Sequence, residues 1–259
     1  MPTVPVVSGS VEDYLKTVLK LEDENLRATT SQIARRLEVA DPSVTDMCQR
    51  LQRAGLLRYQ PYRGVKLTDR GRALALRILR RHRLIELFLQ RVMGYGWAEV
   101  HPEAEKLEHV VSDLFVDRID ELLNHPTQDP HGESIPDAAG LRNPRGDTCL
   151  AEAPLGEYTV ERVVKHEPAF LSYLETLHLV PSGCFHLTER LPFGGPLKVV
   201  PGGDRTPRYI GLEAAGSIFV IPRPSADTKF LKGRPKAQPP SRSRMGRAAG
   251  TRTFGFRTP

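Results

Sequence analysis

Residues 29–67 constrain the fold more than any other stretch, because two short helical patterns are followed there by two strand-like runs. The first helical pattern ends at a VAD turn, and the second starts with Asp41 as its predicted cap and Pro42 in its first turn, where proline is tolerated. The run LLRYQPYRGVKLT then predicts two short strands joined around residues 62–64. With a further helical pattern at residues 10–24, this order predicts a winged helix-turn-helix.

The rest of the chain predicts a mainly helical protein with a small β portion. Thr68 is a predicted cap for a long helix that runs to about Val92, and a helix or helix pair follows at residues 102–123. Short strand-like runs with Gly and Pro turns between residues 154 and 222 predict a small β-barrel. The predicted divisions are a DNA-binding domain (1–73), a helical domain (74–125), a Pro- and Gly-rich linker (126–153), the barrel (154–222) and a basic disordered tail (223–259).

The charge is unevenly distributed along the chain, which carries +6 in total. Residues 26–83 hold 14 Lys and Arg against 4 Asp and Glu, a net +10, and residues 224–259 hold 9 against 1, a net +8. The remaining segments are acidic. A basic module beside an acidic one predicts polyanion binding together with a separate function.

Other classes of protein are disfavoured by the same sequence. It has no apolar run near the roughly 20 residues that span a bilayer, and its start lacks the features of a signal peptide. Its 3 cysteines are widely spaced with no CxxC pair, which argues against a disulfide framework and favours a cytoplasmic protein. We therefore expect neither a membrane partner nor a small-molecule substrate.

The stretch AEKLEHVVSD brings Glu105, Glu108 and His109 to positions i, i+3 and i+4, on one face of a predicted helix. On the preceding helix, His82 and Glu86 are i, i+4 partners. Carboxylate and imidazole ligands without thiolate suit divalent manganese or iron better than a structural zinc site. The alternative interpretation is a solvated charged face.

The second helix of the winged motif is the predicted reading element, because its N-terminal residues meet base edges in the major groove. Its candidate contacts are Pro42, Ser43, Thr45, Asp46, Gln49 and Arg50. The arginines outside that helix that are expected to bind phosphate are Arg35, Arg36 and Arg63. The aromatic residue Tyr62 lies beside Arg63 at the predicted wing tip.

Six sequence motifs occur here in one order, and together they resemble the metal-dependent repressors of the diphtheria-toxin-repressor and manganese-transport-regulator family. They are EDYLKTVLKLE, QIARRLEVADPSVTDMCQRLQRAGLL, YRGVKLTDRG, RRHRLIELFL, HPEAEKLEHVVSD and PAFLSYLETLHLVPSG with PFGGPL. The resemblance implies a winged-helix domain, a helical metal-binding and dimerisation domain, and a small FeoA-like β-barrel. It also implies a regulator dependent on Mn(II) or Fe(II), active as a homodimer on double-stranded operator DNA, and not an enzyme.

By matched position, the resemblance implies two metal sites. One would use Asp13, Glu105, Glu108 and His109, with His82 able to join, and the other His82, Glu86 and His101. Barrel-domain ligands match loosely at His166 and Glu167. Carboxylates at positions 13 and 105, where iron-type members have methionine and cysteine, favour manganese. Lys16 stands where manganese-type members usually carry a second acid, which argues against two closely spaced ions.

The resemblance also suggests how metal and DNA are coupled. An ion that joins Asp13 to Glu108 and His109 would draw the DNA-binding and dimerisation modules together and set the spacing of two reading helices on a pseudo-palindromic operator. Apolar residues in 84–92 and 114–123 are the candidate dimer seam. Two alternatives are a metal-independent winged-helix regulator whose barrel is a protein-interaction module, and a metallohydrolase, although the chain has no HExxH, GxSxG or P-loop motif.

Overall fold

The computed structural model describes residues 8–223, apart from 25, 62, 145 and 205, so most of the predicted tail lies outside the described residues. In chain order the elements are α1 (Gly9–Asp23), α2 (Thr30–Leu37), α3 (Asp41–Arg53), β1 (Leu57–Gln60), β2 (Gly64–Leu67), α4 (Asp69–Arg91), α5 (Val100–Leu107), α6 (Asp113–Leu122), β3 (Gly156–Val163), α7 (Pro168–Thr176), β4 (Cys184–Arg190), β5 (Leu197–Pro201), β6 (Arg208–Ile210), α8 (Leu212–Ala215) and β7 (Ile218–Pro222). Among the described helices, none combines the length and the apolar composition that a membrane span requires.

The winged helix-turn-helix prediction is confirmed, since α1, α2 and α3 precede an antiparallel β1–β2 hairpin. The predicted cap of α3 is wrong by one residue: Ala40 is the cap, and Asp41 begins the helix while its carboxylate accepts a hydrogen bond of 2.9 Å from Ser31. The hairpin needs glycine at position 64, where φ is +94° and a Cβ would lie 2.7 Å from the carbonyl oxygen of Ala28. The wing is joined here to the loop between α1 and α2, because the amide of Val65 donates a 2.8 Å hydrogen bond to that same carbonyl oxygen.

Helix α4 belongs to two hydrophobic clusters. Thr68 caps it as predicted, with its side chain accepting a 3.0 Å hydrogen bond from the amide of Gly71. Its first half packs with α1, α2 and α3, and its second half packs with α5 and α6, with Ile78 and Leu84 as fully buried examples. The helix is therefore a rigid connection between the DNA-binding module and the helical module.

The five strands between residues 156 and 222 form one antiparallel sheet with strand order β6-β5-β4-β3-β7. The predicted small β domain is correct, but the closed barrel is not, because the described residues show no pairing between the edge strands β6 and β7. Strand β6 has 3 residues and pairs only with β5. So short an edge offers few backbone groups with which to close the sheet.

The predicted linker packs closely against the rest of the molecule. Residues 128–142, which we call the strap, contain no helix or strand, yet 129–136 are all buried. The strap passes so near β3 that a Cβ on Gly132, where φ is +84°, would lie 1.9 Å from the carbonyl oxygen of Glu161. At its far end, the guanidinium of Arg142 makes a two-point ion pair with Asp23 of α1, one contact being 3.0 Å. The strap therefore touches both α1 and the C-terminal sheet.

Candidate metal centre and nucleic-acid interface

The first group of donor atoms, here called the Asp13 cluster, consists of Asp13, Glu108 and His109. One donor atom from each lies within 4.8 Å of the others. Nε2 of His109 is 3.2 Å from Oδ1 of Asp13 and 3.6 Å from Oε1 of Glu108. Asp13 belongs to α1, whereas Glu108 and His109 follow the end of α5, so the cluster joins the DNA-binding module to the helical module.

Glu105 was expected in the same group, and its carboxylate lies next to the three donors but is not one of them among the described residues. It is 51% exposed, and its Oε1 lies 3.6 Å from His101 and 3.7 Å from Lys16. Helix α5 ends at Leu107, so Glu105 lies in its last turn, Glu108 caps the helix and His109 follows the cap. Glu105 thus lies beside the Asp13 cluster without joining it.

Glu108 is fully buried and paired on both oxygens. Its Oε2 lies 2.8 Å from Nδ1 of His82, and its Oε1 accepts a hydrogen bond from the ammonium of Lys16. Burial alone would raise the pKa of Glu108, but the hydrogen bonds and charges of His82 and Lys16 outweigh it and hold that pKa at about 2. The carboxylate is therefore ionised at neutral pH, as a metal ligand must be.

Glu12 is a functional candidate that sequence reasoning missed. Its Oε2 lies 2.8 Å from Nδ1 of His109, on the side of the ring opposite Asp13. A carboxylate on one ring nitrogen fixes the orientation of an imidazole whose other nitrogen serves as a ligand. The sequence signal was the neighbouring pair Glu12-Asp13 near the start of α1, which does not reveal which acid faces the histidine.

The second group contains His82, Glu86 and His101, of which the spacing indicated the first two and the resemblance added His101. Oε1 of Glu86 lies 3.0 Å from Nε2 of His82 and 2.8 Å from Nδ1 of His101. Burial favours the neutral carboxyl, but the adjacent His82 and His101 outweigh it and hold the pKa of Glu86 well below its usual range. The pKa of His82 is raised for the reciprocal reason: burial would lower it, and its carboxylate partners prevail.

A third group joins Glu86 to His131 and His166, which come from the strap and the C-terminal sheet domain. The two imidazoles stack with ring centroids 4.2 Å apart, and Nδ1 of His131 lies 3.9 Å from Oε2 of Glu86. His166 was a predicted barrel-domain ligand, but its neighbour Glu167 is exposed and belongs to none of these groups among the described residues.

The tautomers of this third group suit a cation. Nε2 of His131 and Nε2 of His166 lie 3.0 Å from the carbonyl oxygens of Trp97 and Val163, and a carbonyl can only accept a hydrogen bond. Each Nε2 therefore carries a hydrogen, which leaves Nδ1 with a lone pair. Nδ1 of His131 is buried and has no hydrogen-bond partner among the described residues. A buried lone pair facing a carboxylate is costly unless a cation lies between them.

His131 was missed because it lies in a Pro- and Gly-rich segment with no helical or strand periodicity. Asp129 shapes the chain there, since its Oδ1 accepts hydrogen bonds from the amides of His131 (2.8 Å) and Glu133 (3.0 Å). Arg83 of α4 then binds Glu133 at 2.6 Å and holds the strap against that helix. Nothing in the local sequence indicates that this turn lies next to Glu86.

The predicted DNA-contacting residues of α3 share one face. Pro42, Ser43, Asp46, Gln49 and Arg50 are exposed and Thr45 is half-buried, whereas Val44 and Cys48 pack into the core. Arg35 and Arg63 are exposed, and Arg36 forms an ion pair with Glu24 at 2.9 Å. Tyr62 lies outside the described residues.

The candidate dimer seam divides between α4 and α6. On α4 most of its apolar residues are core, with Leu84, Ile85 and Leu87 at most 1% exposed. On α6, Leu114 and Leu122 are 65% and 63% exposed. Within the predicted seam the exposed apolar side chains are therefore mostly on α6, together with Val92 at the end of α4, which is 50% exposed.

Comparison with known proteins relates the chain to metal-dependent repressors. Residues 7–65 match the N-terminal DNA-binding domain of iron-dependent repressors, 68–137 match their metal-binding and dimerisation domain, and 148–222 match the FeoA domain. The iron-dependent repressor IdeR of Mycobacterium tuberculosis (strain ATCC 25618 / H37Rv) is 35% identical over 208 residues, which cover 75% of this chain and 90% of that protein. The diphtheria toxin repressor of Corynebacterium diphtheriae is 36% identical over 136 residues, covering 52% and 60%.

Solved structures point the same way. A manganese-dependent transcriptional repressor in complex with manganese superposes with a TM-score of 0.76 at 33% identity, covering 82% of this chain and 100% of that chain. ScaR with bound Zn²⁺ gives a TM-score of 0.70 at 34% identity, covering 82% and 99%. The likeness therefore extends through all three parts of the described chain.

Proposed function

The chain belongs to the family of iron-dependent repressors, and we propose that manganese is its preferred metal and that the three donor groups described above bind it. As a member of that family it is a divalent-metal-dependent, DNA-binding regulator that acts as a homodimer on operator DNA, and it is not an enzyme. Similar proteins include both iron-dependent and manganese-dependent repressors. The preference for manganese is supported by donor groups built only from carboxylates and imidazoles, without a thiolate or thioether.

The observation that carries this proposal is the position of Asp13 opposite His109. These side chains approach to 3.2 Å although they come from different modules. A divalent cation held there would neutralise carboxylates that otherwise repel one another. Asp13 and Glu108 would then both bind this cation, which would fix α1 relative to the end of α5 and favour the DNA-competent arrangement.

The third group supports a second role, in which metal ties the sheet domain to the helical module. His166 precedes α7 and His131 belongs to the strap, whereas Glu86 lies on α4. Donors from three separate segments can meet around one ion only when these segments are docked. We propose that occupancy of this group stabilises that docking.

DNA recognition is assigned to α3 and the wing, with Ser43, Gln49 and Arg50 toward base edges and Arg35 and Arg63 toward phosphates. The exposed apolar side of α6 is the proposed dimer seam. A two-fold symmetric dimer reads a pseudo-palindromic operator. A regulator of DNA with three free cysteines acts in the cytoplasm.

The test is a gel shift with a DNA pool selected on manganese-loaded protein. Mn(II), Fe(II) and a chelator are compared for the parent chain, for Asp13→Asn and for the control Glu175→Gln, an exposed residue of α7. We expect metal-dependent binding by the parent and the control, with Mn(II) effective at the lower concentration, and loss of binding in Asp13→Asn. DNA binding that persists in the presence of chelator would favour the metal-independent alternative. Half-maximal DNA binding at a lower concentration of Fe(II) than of Mn(II) would reverse the proposed metal preference.

A further inference from the structure

Lys16 is a buried lysine next to the Asp13 cluster, and the proposed function gives it no role. It lies one helical turn after Asp13 on α1 and is only 5% exposed. Its ammonium donates a hydrogen bond to Oε1 of Glu108 and lies 3.7 Å from Oε1 of Glu105. A lysine is seldom buried to this degree unless it is paired, and here its partners are Glu108 of the Asp13 cluster and Glu105 beside it.

The oxygen that Lys16 holds is also the one that faces His109. Oε1 of Glu108 is 3.6 Å from Nε2 of His109, whereas Oε2 is engaged by His82. A cation in the Asp13 cluster therefore needs the same oxygen that the ammonium already binds. Because both are positive and close, each weakens the binding of the other.

We propose that Lys16 is a tethered cation that competes with the divalent metal for Glu108 and limits the Asp13 cluster to one ion. This inference rests on the proposed function of that cluster. In the metal-free protein Lys16 compensates the buried charge of Glu108, so the fold is stable without metal. The charge of Lys16 also raises the metal concentration at which the regulator responds. The ammonium group itself fills the space beside Glu105 that a second ion would need.

A different role for Lys16 predicts the opposite result. If the lysine only oriented Glu108 for the metal, removing it would weaken metal binding, as loss of an orienting partner usually does. If it competes, replacing it by a neutral side chain strengthens binding. The sign of the change in affinity therefore separates the two roles.

The experiment measures Mn(II) affinity by calorimetry and the number of ions per chain by native mass spectrometry, on the full dimeric protein. Lys16→Met and Lys16→Gln are expected to bind Mn(II) at the Asp13 cluster at least ten-fold more tightly, with an unchanged number of ions. Lys16→Glu is expected to bind one more ion per chain. Lys16→Arg, which keeps the charge, and Lys106→Gln, which removes an exposed charge on α5, should stay within about two-fold of the parent.

Unchanged or weaker affinity in Lys16→Met, or an unchanged ion count in Lys16→Glu, would overturn the proposal. Asp13→Asn in the same assays separates this outcome from failure of the proposed function, because unchanged Mn(II) binding in that variant means that the Asp13 cluster holds no metal. If the neutral variants do not fold without metal, we expect saturating Mn(II) to restore their circular dichroism spectrum. If saturating Mn(II) does not restore the spectrum, the metal cannot take over the charge compensation that Lys16 provides, and this too would overturn the proposal.

Discussion

His82 and Glu108 form a buried hydrogen bond of 2.8 Å that connects the first donor group to the second. Nδ1 of the ring faces Glu108, and Nε2 faces Glu86 at 3.0 Å. A single imidazole is therefore shared by the Asp13 cluster and the group on α4. Because both rest on one side chain, occupancy of one group should influence the other.

Replacement of His82 by Ala is expected to weaken Mn(II) binding at both groups, by at least about 10- to 100-fold, because the Asp13 cluster loses the partner that orients Glu108 and the second group loses one of its donors. Glu108→Gln should affect the Asp13 cluster most, with a smaller effect on the second group through His82, and His131→Ala should affect the third group most. Calorimetric titration of the three variants measures Mn(II) binding at the three groups. Exposed Glu175→Gln on α7 is the control, and an effect of His82→Ala confined to one site would contradict the sharing.

The exposed side of α6 should carry dimerisation. Leu114→Glu places a charge where the partner would bury an apolar surface, so we expect the dimer dissociation constant to rise at least about 100-fold. Sedimentation equilibrium measures that constant. Phe193→Glu, a similar change at a fully exposed residue of the sheet domain, should leave the dimer intact. A dimeric Leu114→Glu protein would move the seam elsewhere.

The stability of the metal-free protein should decrease in mild acid because of His166. Burial and the neighbouring His131 hold the pKa of His166 well below 6.5, so below pH 6.5 the unfolded chain binds a proton that the folded chain excludes. The free energy of unfolding therefore falls as pH decreases from 7.5 to 5.5, by an amount on the order of 1 kcal/mol from this residue.

Urea unfolding of the parent and of His166→Asn at these two pH values isolates the contribution. The free energy of unfolding should differ less between the two pH values in His166→Asn than in the parent. In His178→Asn, which changes an exposed histidine, the difference should match that of the parent. His82 acts in the opposite sense: its raised pKa adds stability below pH 6.5 that is lost as the pH rises. An equal pH dependence in His166→Asn and the parent would contradict the prediction.

The ion pair between Asp23 and Arg142 should connect the strap energetically to α1. It is two-pronged, with side chains 22% and 17% exposed, so we expect a coupling energy of about 1 kcal/mol in a double-mutant cycle of Asp23→Asn and Arg142→Gln. The comparison pair Arg118 and Glu121 is 70% and 58% exposed and should give a smaller coupling. Denaturant unfolding measures both cycles, and equal couplings would remove this role of the strap.

Arg63 in the wing should bind phosphate without reading sequence. Arg63→Gln is expected to weaken binding to all DNA sequences alike and to lower the slope of log affinity against log salt by about 1. Fluorescence anisotropy over a range of salt concentrations measures this slope. Gln49→Ala should instead change the preferred sequence at an unchanged slope. A change in sequence preference in Arg63→Gln would mean that the wing reads bases.

Local chemistry by itself determined the helices and the winged motif. Thr68 caps α4 because a threonine side chain can accept a hydrogen bond from the first free amides of a helix, and this requires no knowledge of distant residues. His82 and Glu86 share a face because residues four apart on a helix always do. The donor types, carboxylate and imidazole, likewise limit the metal without reference to a fold.

Tertiary structure decided which donors meet. Lys16 and Glu108 are 92 positions apart, and His131 reaches Glu86 only because Arg83 and Gly132 allow the strap to pack between α4 and β3. Such contacts depend on the path of the whole chain and on which charges can be buried together, and no local periodicity encodes that path. The open edge of the sheet has the same origin, since closure depends on the length and placement of strands far apart in sequence.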